Sequence, residues 1–234
     1  SETLEDYAVR NPELAYMTHE SESTEETLES MEFSAAASEP ADSQPLAENS
    51  TVTKAEGEFE MNTENPERIT YQPSFYYEPL SEDLKKRITG LSYKENCPIP
   101  YEELRYVSVL YINFKGNASV GELICNQAIA QDLVEIFYEL YKANYQIEQI
   151  RLIDEYNADD LLSMQDNNSS CFNYRTIAGT NKISMHGRGL AVDINPFFNP
   201  YITYRNNTQQ ISPAGAESYA DRSQPFAYKI DEND

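Results

Sequence analysis

The sequence predicts an α+β fold preceded by a disordered acidic N-terminal region. Two observations carry that reading: strand and helix periods appear only beyond about residue 67, and negative charge is crowded ahead of it. The 234 residues carry a net charge of -23, and residues 1–67 hold 18 acidic side chains against only Arg10 and Lys54. The remainder holds 22 acidic against 15 basic residues, an ordinary balance for a folded domain. A chain this acidic repels phosphates, so nucleic acid is excluded as a partner. No apolar run approaches the ~20 residues that a membrane-crossing helix needs.

The N-terminal text, exemplified by HESESTEETLESMEFSAAASEPADSQP, has no sustained helical or strand period. Scarce apolar side chains and single-sign charge cannot offset the entropy of ordering, so residues 1–66 read as a disordered stalk or linker. Residues 67–234 then form the folded domain.

Within that domain Ser81 is placed to cap a short helix whose first turn carries Glu82 and Asp83. RYVSVLYINF is rich in β-branched and aromatic residues and reads as a buried strand. Asn126 is positioned to cap a helix running to about Ala143, with Ile129, Leu133, Ile136, Phe137, Leu140 and Tyr141 as its core stripe. IEQIRLI reads as a second strand. Asp159-Asp160 before Leu161-Leu162 reads as a helix start, and FNYRTI and ISMHGRGLAVDINP follow around a turn near Ala178-Gly179-Thr180. Strand, helix, strand, loop, strands is an α+β order without repeats. Cys97, Cys125 and Cys171 have no CxxC spacing; one disulfide plus one thiol and three buried thiols remain equal alternatives.

The chemistry sits in Ser184-Met185-His186-Gly187-Arg188-Gly189-Leu190-Ala191-Val192-Asp193-Ile194-Asn195-Pro196. Strand alternation puts Leu190, Val192 and Ile194 on one face and Ala191 and Asp193 on the other. A carboxylate in so apolar a run is costly unless a cation or donor meets it. Gly187 and Gly189 permit a tight turn that returns the His186 imidazole toward the start of the strand. A neutral imidazole and a carboxylate that converge suit Zn²⁺.

The same string matches every fixed position of the signature S-x-H-x-x-G-x-A-x-D, with Ser184, His186, Gly189, Ala191 and Asp193, and so resembles the D-alanyl-D-alanine carboxypeptidase family of zinc peptidases. That family includes vancomycin-resistance carboxypeptidases and L-alanyl-D-glutamate peptidases. The segment ending Phe172-Asn173-Tyr174-Arg175, together with GELICN, RLIDEYNADD and NPFFNPYI, extends the resemblance over roughly residues 105–205. The resemblance implies a small antiparallel sheet with packed helices, and zinc held by His186, Asp193 and a later histidine. It assigns Arg175 to the substrate carboxylate or developing oxyanion, and Ser184 to hydrogen bonding near the substrate or metal shell rather than to nucleophilic attack.

One departure stands out. The sequence has only two histidines, His19 and His186, so no imidazole follows Asp193. His19 lies in the acidic tail and is not expected to be a ligand. The domain therefore reads as C-terminally incomplete, lacking the third ligand and the general base. Reading the encoding DNA past Asp234 for an acidic-x-x-His segment tests this. Cys171 with His186 lacks a third orienting group and does not read as a cysteine-peptidase pair.

The resemblance implies zinc-dependent hydrolysis of an amide in peptidoglycan stem peptides. It also implies an extracellular or cell-surface location in a bacterium, with the acidic stalk spacing the domain from an anchor outside the sequence. The alternative is a wall-binding or interaction module that keeps the fold without catalysis. Carboxypeptidase or endopeptidase action, the bond cut and the oligomeric state are left open.

Overall fold

The computed structural model describes residues 65–177, 179–205 and 207–230. All but the last two positions of the expected N-terminal stalk, and His19 with them, lie outside the described residues. The fold begins with a hairpin of β1 (Ile69–Gln72) and β2 (Phe75–Pro79). Glu78 anchors its entry by accepting from Arg68 Nε at 2.8 Å and Asn65 Nδ2 at 3.1 Å. Helix α1 (Glu82–Ile88) follows, and Ser81 caps it as expected, its Oγ accepting from Leu84 N at 3.2 Å. The acidic residues of its first turn and the basic residues of its last both complement the helix dipole.

Strands β3 (Leu104–Ile112) and β4 (Ala118–Asn126) pair antiparallel along their full lengths, completing a four-stranded sheet in the order β1-β2-β3-β4. Successive side chains point to opposite faces, and two cores result. Phe75, Tyr77, Val107, Val109, Tyr111, Leu123 and Cys125 pack against helix α2 (Ala130–Lys142). Leu104 and Ile124 join Leu80, Ile88, Leu152 and Phe172 in a second cluster. This is the α+β architecture of a small antiparallel sheet with packed helices. Among the described residues no helix is long and apolar enough to cross a membrane.

Several local expectations need correction. Asn126 is the last residue of β4 rather than a helix cap: its Oδ1 accepts from Ala128 N at 3.0 Å, and α2 starts four residues later without a side-chain cap. The helix buries Ala130, Leu133, Val134 and Phe137, whereas Ile136 is 47% exposed. Leu133 and Phe137 lie in the core as expected and Ile129, Leu140 and Tyr141 pack partly buried against it, so of the expected stripe only Ile136 falls outside. IEQIRLI contributes only β5 (Gln149–Ile150), paired parallel with β6 (Asn168–Ser169).

FNYRTI and LAVDI form no continuous strand. Their backbone bonds go to scattered partners: Phe172 N to Ile124 O, Asn173 N to His186 O, Tyr174 N to Ser92 O and Ser184 N to Arg175 O. Only isolated bridges remain, at Thr176–Ile183 and Ser170–Asp193. The three cysteines are free thiols, Cys125 and Cys171 buried and Cys97 half-buried.

After a 3-10 turn at Ile153–Tyr156, Asp159 caps the short helix α3 (Asp160–Gln165) through Leu162 N at 3.1 Å. A hairpin of β7 (Tyr201–Arg205) and β8 (Thr208–Ser212) comes late in the chain. Asn199 ties this end down, its Nδ2 donating to Ile194 O at 3.1 Å and Tyr228 O at 2.8 Å.

Candidate metal centre

The segment 170–175 lies beside the end of β4 and carries a loop on its other side. Phe172 N bonds to Ile124 O of β4, while Ser170 and Asp193 exchange both backbone bonds, at 3.2 and 2.9 Å. The fully buried Asn195 holds the loop just past Asp193. Its Nδ2 donates to Gln146 O at 2.9 Å and its backbone N–H to Ser169 Oγ at 3.1 Å.

His186 opens a 3-10 turn over His186–Arg188. Ser184, 6% exposed, shapes that turn by accepting from Gly187 N through Oγ at 2.9 Å. Gly189 ends it at φ +71, where a Cβ would stand 2.7 Å from Asn126 N. A side chain there would be strained by the left-handed backbone and would collide with the end of β4. The glycine thus lets the loop close onto β4, with Asn126 N donating to Gly189 O at 2.8 Å.

The close turn brings the His186 imidazole to two groups. Its Nδ1 meets Cys171 O at 2.8 Å, and its Nε2 stands 3.5 Å from Asp193 Oδ2. A carbonyl can only accept, so Nδ1 carries the hydrogen and a neutral ring points its Nε2 lone pair at the carboxylate. Burial pushes the Asp193 carboxyl up from the ordinary carboxylate value. Electrostatic attraction from His186 in its protonated form and from Arg175 opposes that rise, and Asp160 adds to it.

Arg175 is bound through Nε to Asp160 Oδ2, and it lies near enough to act on Asp193 electrostatically. The other oxygen of Asp160 accepts from Asn173 Nδ2 at 2.9 Å. Asp160 belongs to the site and escaped the sequence reading, which took the Asp159-Asp160 pair as a helix start alone. The two acids divide the work: Asp159 caps the helix and Asp160 reaches across to Arg175. No local pattern announces a contact between residues fifteen apart.

Zinc–nitrogen bonds of ~2.0–2.1 Å and zinc–oxygen bonds of ~2.0–2.2 Å at a tetrahedral centre separate two ligand atoms by about 3.3–3.5 Å. The 3.5 Å between His186 Nε2 and Asp193 Oδ2 fits that edge. The carbonyl behind Nδ1 is the outer partner that metal-binding histidines usually have. Among the described residues, however, no group of three or more His, Cys, Asp and Glu is arranged to hold a metal. The pair fits half of a zinc site. Cys171 offers no nucleophile, because complete burial lifts its thiol well above the ordinary range.

A family model described as D-alanyl-D-alanine carboxypeptidase matches residues 178–231, a span that holds Ser184, His186 and Asp193 but neither Asp160 nor Arg175. The match supports a peptidase of that family. No curated protein and no solved structure matches the chain.

Proposed function

We propose that the chain carries two of the zinc ligands of a peptidase that hydrolyses an amide bond in peptidoglycan stem peptides, with His186 and Asp193 as those ligands. The observation that carries the reading is the 3.5 Å approach of His186 Nε2 to Asp193 Oδ2, with Nδ1 anchored on Cys171 O, inside the segment matched by the family model. A zinc ion bound there would polarise the scissile carbonyl and activate water for attack.

The remaining work falls to the chain's own groups. Cys171 O holds the imidazole in the tautomer that keeps Nε2 free. Arg175 supplies a fixed fork of donors for the substrate carboxylate or the developing oxyanion. Ser184 serves by holding the turn that presents His186, since its Oγ is engaged by Gly187 N. With only two histidines in the sequence, a third imidazole ligand after Asp193 is not available from residues 1–234, and these residues alone should turn over stem peptides poorly. A stem-peptide substrate puts the enzyme at or outside the bacterial cell surface.

The test is equilibrium dialysis of the chain against zinc, paired with an assay of amino-acid release from defined stem peptides. Zinc retention should drop in His186→Ala and in Asp193→Ala, and any peptide cleavage should be lost with chelator. Unchanged zinc retention in both variants overturns the ligand assignment.

A further inference from the structure

A guanidinium presents two flat donor edges, one made by Nε with an Nη and one by the two Nη groups. On Arg175, Asp160 occupies the Nε side, and no hydrogen bond among the described residues engages the Nη groups. Asp160 is itself gripped. Its free oxygen accepts from Asn173 Nδ2 at 2.9 Å, and the same amide donates to Ala158 O at 3.1 Å. Asn173 is 2% exposed, and its backbone N–H donates to His186 O at 3.0 Å. The grip on Arg175 is therefore built on the backbone that carries the first ligand.

The need for such a grip follows from charge. Arg175 is a cation near enough to Asp193 to act on its carboxyl electrostatically, and a guanidinium forms strong paired bonds with a free carboxylate. Were Arg175 to swing onto Asp193, it would occupy the oxygens that a metal needs. Asp160 holds Arg175 with one oxygen and is itself held by Asn173 through the other.

We propose that Asp160 is a positioning residue that holds Arg175 off Asp193, keeping that carboxylate open to metal and the Nη edge open to the substrate. This inference rests on the reading of His186 and Asp193 as zinc ligands.

The test is a double-mutant cycle on zinc affinity, measured by titration calorimetry with zinc alone on the full chain. Asp160→Asn should weaken zinc binding about tenfold, a size usual for coupled neighbours. Arg175→Met should change it by less than about threefold in the parent chain yet recover about tenfold in the Asp160→Asn background. Asp160→Glu should restore most of the affinity. Strictly additive effects overturn the proposal, because screening of charge without a swing gives additivity. A loss in Asp160→Asn that Arg175→Met does not recover, with a lowered melting temperature in both, assigns Asp160 a merely structural part and also overturns it. If the parent chain holds zinc but the cycle is additive, only this inference falls. If His186→Ala and Asp193→Ala leave zinc binding unchanged, the ligand reading falls with it.

Discussion

His186 and Cys171 are joined by a 2.8 Å contact between the imidazole Nδ1 and a backbone carbonyl fifteen residues earlier. Because the carbonyl belongs to the backbone, substitution of the Cys171 side chain cannot remove it. The neutral ring should therefore be the Nδ1–H tautomer. Long-range ¹H–¹⁵N correlation should show a pyrrole-type Nδ1 and a pyridine-type Nε2, and zinc should move the Nε2 signal. The reverse tautomer would contradict the geometry that presents Nε2 to Asp193.

Zinc binding by residues 1–234 should be weak. Structural sites with a full ligand set bind with about 10–16 kcal/mol. Half of that corresponds to dissociation constants on the order of 1–200 µM. Competition with a chromophoric chelator should place the chain in this range, with His186→Ala and Asp193→Ala each weaker. Nanomolar affinity would mean that another ligand exists, and His19 would be the first residue to replace.

What the sequence disclosed was local. Ser81 ahead of Glu82 and Asp83 is a cap wherever the chain goes, and the cap forms. The resemblance read from the Ser184–Asp193 string agrees with the family-model match over the same residues. What it concealed depends on contacts across the fold. Asn126 looks like a helix cap, yet its backbone finishes the ladder with β3 and then receives Gly189, so the helix waits until Ala130. LAVDI has strand alternation, and Val192 and Ile194 do pack on the first core, but its polar backbone groups find no neighbouring strand beyond one bridge. Asp160 was invisible for the same reason: its partners Asn173 and Arg175 reach it only through folding.

Gly189 should be among the least replaceable residues of the loop. Its φ of +71 costs an alanine about 1–2 kcal/mol. A Cβ 2.7 Å from Asn126 N adds an overpacking cost of about 1–3 kcal/mol, because the neighbour is backbone and cannot turn aside. Gly90 is the control, with φ +85 and nothing within 4 Å of the added carbon. Denaturant unfolding should show Gly189→Ala losing about 2–5 kcal/mol and Gly90→Ala only about 1–2. Equal losses would show that the contact with β4 carries no weight.

Asp154 gives a pH dependence with a definite sign. It is 8% exposed, and both its oxygens accept from Ser92, from the backbone N–H at 3.0 Å and from Oγ at 2.9 Å. Burial raises its carboxyl above the ordinary value, against the pull of the Ser92 bonds and the Arg87 charge. A carboxyl that is raised on folding binds its proton more tightly in the native state. The stability it contributes is then fully present below the unfolded value, about 3.9, and is lost as pH rises through the folded one. Asp154→Asn removes the titration while leaving an amide that cannot accept from both Ser92 donors, at a cost of about 1–3 kcal/mol. The stability of the parent chain relative to this variant should therefore shrink as pH rises from about 4 through the raised folded value and then level off. Urea unfolding of both proteins across that range measures the difference. A gap that widens with pH would mean that the Ser92 bonds and Arg87 outweigh burial, and that the carboxyl is lowered on folding.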